Sequence, residues 1–280
     1  MSLFRHGAQR ASRRSSIPGI MIVAIATAFA FGGLATHPGS AEAATKKVVI
    51  VVGPAGSSTS KYISVAKDLA AQARGYGARV IEIYSPNATW SRVKTYAQGA
   101  NVLIYLGHGN GWPSPYGPYQ QYTKDGMGLN ASAGNGNNNV KYWGEYYVRR
   151  YINLAPNAVV ILNRLCYASG NSEWGSANPT KSTAKKRVDN YGAGFLRTNA
   201  KAVFAEGING VKYILYGLFR TDRTMMQIFW SSSSATHTYS FGFASERTSW
   251  ARAEMDPYRL HRYYRSVIGS LGMHASTWRG

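Results

Sequence analysis

The stretch Val102-Leu103-Ile104-Tyr105-Leu106-Gly107-His108-Gly109 decides how this chain is read. Five apolar residues closed by glycine are too few for an ordinary helix and fit a strand buried on both faces. The same pattern occurs upstream at Val48-Val49-Ile50-Val51-Val52, ending at Gly53-Pro54, and at Val80-Ile81-Glu82-Ile83-Tyr84. It returns downstream at Ala158-Val159-Val160-Ile161-Leu162 and at Ala202-Val203-Phe204-Ala205. Helical spacing separates these runs. Tyr62, Val65, Ala66, Leu69 and Ala73 share one face until Gly75 and Gly77 stop the pattern, and shorter helical stretches are predicted over 90–97, 141–152 and 184–196. Alternation of strand and helix predicts an α/β three-layer sandwich with a mainly parallel sheet covered on both faces.

Residues 109–139, rich in Gly, Pro, Asn and Tyr, cannot form one regular element. Trp112, Pro113, Tyr116, Pro118, Tyr119 and Tyr122 suit either a lid over a site or a sugar-stacking platform. The run Gly134-Asn135-Gly136-Asn137-Asn138-Asn139 lacks the carboxylates of a calcium site and reads as a linker. Residues 211–229 are predicted helical. Asp256-Pro257 has the form of a helix start, and Leu260, Tyr264, Val267 and Leu271 then fall on one side. The expectation is an Arg-rich C-terminal helical extension.

The first residues have the layout of an export signal: Arg5, Arg10, Arg13 and Arg14 precede an uncharged apolar run, and Ala41-Glu42-Ala43 suits a signal peptidase. The expected division is a signal peptide over 1–43 and one domain over 44–280, secreted or held at the cell surface, with no membrane span after processing. Arg13-Arg14 leaves a twin-arginine route open beside an ordinary one. The 280-residue chain carries a net charge of +20, and removing the four leader arginines and Glu42 leaves +17. That charge favours an anionic partner such as a cell-wall polymer. The basic residues form no tract and accompany no nucleic-acid motif, so nucleic acid is not expected as a partner. No cofactor is expected, and the histidines and the cysteine lack metal-ligand spacing.

Cys166 is the only cysteine, which rules out an intrachain disulfide. A lone thiol in an exported protein is either deeply buried or used. In parallel sheets the loops leaving the carboxyl ends of strands converge on one rim, and two such loops carry His108 and Cys166. Either residue alone is commonly a turn histidine or a small buried hydrophobe. Together, on adjacent parallel strands, they would face each other as a hydrolytic dyad. Cys166 would attack an acyl carbon, His108 would move protons, and the N–H groups of Gly109 and Cys166 would hold the oxyanion.

An apolar strand ending in His108-Gly109, followed by a second ending near Cys166, resembles the caspase-like cysteine peptidases, the gingipain-like branch in particular. Gly194-Phe195-Leu196-Arg197 and the run at Ala202 extend the likeness, which covers about residues 48–205. Leu165 departs from the small residue that many members have before the nucleophile. The resemblance implies a secreted cysteine endopeptidase acting on peptides or proteins through an acyl-enzyme. It also implies a substrate pocket, for which Glu173, Glu206, Asp222 and Trp112 are candidates, with Asp189 a further acid. A carboxylate lining that pocket would favour Lys or Arg before the cut bond. A different class of function remains beside it: a non-catalytic surface protein that binds glycan or anionic wall polymer.

Overall fold

A computed structural model describes residues 45–280; the expected signal peptide and its cleavage point lie outside the described residues. The apolar runs form β1 (Lys47–Val52), β2 (Arg79–Tyr84), β3 (Val102–Leu106), β6 (Ala158–Asn163) and β7 (Ala200–Glu206). Between β3 and β6 lies a separate hairpin of β4 (Met127–Asn130) and β5 (Val140–Trp143). The main sheet has the order β2-β1-β3-β6-β7, all parallel. It continues antiparallel through β10 (Arg265–Gly269), β9 (Arg252–Met255) and β8 (Phe241–Ala244).

Alternation along each strand divides the core into two layers. Val49, Val51, Leu103, Tyr105, Val160 and Leu162 face one side, packed by α2 (Trp90–Ala97), α3 (Glu145–Tyr151) and α4 (Lys181–Leu196). Val48, Ile50, Val52, Ile104, Ile161 and Phe204 face the other, under α1 (Thr59–Gly75), α5 (Lys212–Arg220), α6 (Met225–Trp230) and α7 (Ala275–Arg279). The continuous apolar runs are therefore explained by burial on both faces. The result is the three-layer α/β sandwich with a mainly parallel sheet. Among the described residues no helix is long and apolar enough to cross a membrane.

Three expected elements are corrected. The helix over 141–152 is split between β5 and α3, with Gly144 at the junction, where a side chain would strike the backbone of residues 121–124. The helix over 211–229 breaks into α5 and α6, and Thr224 opens the second with a capping box to Gln227. The C-terminal helix is instead a turn and a strand. Val267 points into one core layer and its neighbour Ile268 into the other, a two-residue period, while Leu260 is 64% exposed. The spacing of Leu260, Tyr264, Val267 and Leu271 was helical by coincidence. Asp256, expected as a helix cap, is buried; it accepts hydrogen bonds from Thr236 and from the N–H of His237, and pairs with Arg265.

Candidate active site

Strands β3 and β6 are adjacent and parallel, with Leu106 opposite Asn163. His108 follows the first strand end by two residues and Cys166 follows the second by three, so both loops leave the same rim. Gly109 packs its backbone directly on the Cys166 peptide. A Cβ at 109 would overlap the Cys166 carbonyl group, so the Gly after the His is needed for the two loops to meet. Tyr105, buried in β3, sets its hydroxyl 2.9 Å from the His108 carbonyl and accepts a 2.8 Å hydrogen bond from the Gly128 N–H, tying the histidine loop to β4.

The cysteine loop is a tight turn. Arg164 and Tyr167 take left-handed φ values of 62° and 71°, a conformation that costs a non-glycine residue about 1–3 kcal/mol. The Cys166 carbonyl accepts from the Ala168 N–H at 2.9 Å, and the Arg164 N–H donates to the Glu206 carbonyl at 2.8 Å. Cys166 is half-buried and free. Among the described residues, neither the Gly109 nor the Cys166 peptide N–H donates to a protein acceptor.

No hydrogen bond joins the His108 ring to the Cys166 sulfur among the described residues. Their electrostatics are set by other neighbours. Burial, and then the nearby Glu173 carboxylate, push the Cys166 thiol up to about 11, against opposing pulls from the Trp174 N–H and the Arg187 guanidinium. Partial burial holds the His108 imidazole below its ordinary pKa, with Glu173 pulling the other way. At neutral pH the cysteine therefore rests as a thiol and the histidine as a neutral imidazole.

Beside Cys166 opens a cleft of about 630 Å³ lined by Tyr62, Arg164, Glu173, Trp174, His261 and Arg262, among others. Of the expected pocket residues, Glu173 lines this cleft and accepts a 2.7 Å hydrogen bond from the Tyr116 hydroxyl of the aromatic loop. Glu206, at the end of β7, is buried and occupied by Arg265 at 2.8 Å, with Tyr213 and Asn209 also donating to it. Asp222 lies near His274 and accepts from the Ser276 N–H; His274 shares a rim with Asn157 and Lys201, at the amino ends of β6 and β7, opposite Cys166. Trp112 is fastened through its backbone, donating to Asp125 and accepting from Asn190. Asp189 accepts from Ser245 and from the Glu246 N–H, beneath the β8–β9 turn.

Two residues not singled out from the sequence organise the rim. Arg187, buried in α4, donates to the carbonyls of Asn171 (2.8 Å) and Pro113 (2.7 Å), clamping the cysteine loop to the aromatic loop, and stacks over Tyr167. Lys124, also buried, donates to Asn110, Ser114 and the Tyr116 carbonyl, so the aromatic loop is anchored from within. A signal for Arg187 existed: it shares a helical face with Ala184, Tyr191 and Phe195, an apolar face on which a cation is out of place.

Fold and rim together define an α/β protein whose lone thiol and glycine-flanked histidine lie on two loops that meet at the carboxyl edge of a parallel sheet. No family model and no curated protein matches the chain. A solved structure, that of a secreted C11 cysteine protease from Bacteroides thetaiotaomicron called iotapain, is matched at 11% identity with a TM-score of 0.36. The match covers 76% of this chain and 66% of that one, so the chain spans just under two thirds of that protein's length. The superposition is loose, and the chemistry of the rim rests on the residues found there.

Proposed function

We propose that this chain is an exported cysteine endopeptidase of caspase-like architecture, with Cys166 as nucleophile and His108 as proton carrier. The observation that carries the reading is the packing of Gly109 on the Cys166 peptide, which fixes both loops at one rim. On substrate binding the neutral imidazole accepts the thiol proton as sulfur bonds to the acyl carbon, and the free N–H groups of Gly109 and Cys166 receive the oxyanion. The imidazolium then protonates the leaving amine, the C–N bond breaks, and a thioester remains. Water attacks that thioester, giving its proton to His108, and the released sulfur regains its proton. The contact between ring and sulfur forms in the complex, as catalytic hydrogen bonds often tighten only there. The expected outcome is labelling of Cys166 by a peptidyl acyloxymethyl ketone, slowed about 100-fold or more in His108→Ala. An unlabelled wild-type protein under reducing conditions would overturn the proposal.

A second reading draws on the aromatic surface around α3. Tyr122, Tyr146, Tyr147 and Tyr151 form a chain of contacting rings, with Lys94, Arg149 and Arg150 over their faces. Such a surface suits a non-catalytic binder of anionic wall polymer or glycan. Retention on isolated cell walls that survives Cys166→Ala but is lost with salt, in a protein that cleaves no peptide, would favour it.

A further inference from the structure

The chemistry of the cleft beside Cys166 runs against the expectation of a Lys- or Arg-binding pocket. Its lining holds three basic residues, Arg164, Arg262 and His261, against a single carboxylate, Glu173. That carboxylate is already engaged by the Tyr116 hydroxyl at 2.7 Å and by Tyr167. Arg164 has no carboxylate partner among the described residues, and its Nε is buried without a hydrogen-bond acceptor. Its guanidinium stands 6.0 Å over the Tyr62 ring, another cleft residue, and its left-handed backbone lies two positions before the nucleophile. A buried donor left without an acceptor is costly, and a planar guanidinium is matched best by a carboxylate, which can accept two parallel hydrogen bonds.

We infer that the cleft beside Cys166 binds a peptide carboxylate, with Arg164 as its principal partner and Arg262 on the rim. The substrate class is therefore acidic peptide; the proposed peptidase activity enters only in saying that such a peptide is cut next to the bound acid. Glu173 acts as a gate of like charge that weakens this binding.

The test measures binding and needs no turnover. The full chain carrying Cys166→Ala is titrated with dye-labelled, amidated peptides that differ only in an internal Asp, Asn or Arg, and with an Asp-free peptide bearing a free carboxyl terminus. The Asp peptide is expected to bind about tenfold or more tighter than the Asn peptide, the scale of one charge-assisted hydrogen bond. Tight binding by the free-terminus peptide alone would assign the same chemistry to a terminal carboxylate. Arg164→Gln should abolish the preference and Arg262→Gln reduce it. Arg92→Gln, which removes the same charge at an exposed position of α2, should leave it intact, and Glu173→Gln should strengthen it. Tighter binding of the Arg peptide, a preference that survives Arg164→Gln, or no binding by either carboxylate peptide would overturn the inference. Arg164-dependent binding of acid in a protein whose Cys166 resists acyl probes would sink the peptidase reading while leaving the ligand class standing.

Discussion

The Cys166 sulfur sits where burial and Glu173 both oppose its ionisation. A thiol whose folded pKa is near 11 is a poor spontaneous nucleophile at neutral pH, so its reactivity depends on His108 accepting the proton. Alkylation of Cys166 by iodoacetamide should accordingly rise with pH through an inflection near 11. Glu173→Gln removes a like charge, so the inflection should move to lower pH and the rate at pH 8 should increase; an unchanged profile would show that the carboxylate does not act on the sulfur. Reading along the chain identifies Cys166 as unusual because it is single and ends an apolar run. That reading gives Glu173 only as one of several pocket candidates and does not set it against the sulfur, because the six residues between them form a loop whose path depends on Arg187 and Tyr116.

Between elements, the decisive contact is Gly109 against the Cys166 peptide. Gly109→Ala forces the two loops apart or strains them, and should cost about 1–3 kcal/mol in a urea titration. Labelling of Cys166 should slow as well, although the substitution touches neither reactive atom. Tyr116→Phe removes the hydroxyl that ties the aromatic loop to Glu173. Stability should hardly change, since the pair is exposed, while amide exchange across residues 112–119 should quicken. A loop with unchanged exchange would mean that Lys124 and Arg187 hold it without help. The parallel strands were legible at this scale because burial on both faces writes an unbroken apolar run. Residues 256–271 were not, because four residues spaced for a helix face also lie on a turn and strand whose neighbours alternate between layers.

Across the whole molecule, a buried charge network joins the antiparallel part of the sheet to the parallel part. Arg265 in β10 pairs with Glu206 at the end of β7 and with Asp256, donates to the Phe229 carbonyl, and stacks on the Phe229 ring. Arg265→Met strands two carboxylates and should cost about 3–5 kcal/mol, read as a lower urea midpoint. Asp125 makes a different contribution. It is fully buried, one carboxylate oxygen has no partner, and burial raises its pKa well above the ordinary range. The stability it supplies is complete below the unfolded carboxylate value and is lost as pH rises through the folded one. Asp125→Asn should remove that loss, so the variant should be less sensitive to rising pH across that window than the wild-type chain. An identical pH dependence would locate the titration elsewhere.

By itself the amino-acid sequence determined the parallel sheet, its two covered faces and the two strand ends that carry His108 and Cys166, because hydrophobic periodicity and glycine stops are local properties. Only the tertiary structure decided which carboxylates are free. Glu206 and Asp189 are consumed by partners 59 and 56 residues away, Asp222 lies near the opposite rim, and Arg164 remains without an acceptor beside the thiol. Pairing of charges depends on which loops fold back upon one another, and no local pattern records that.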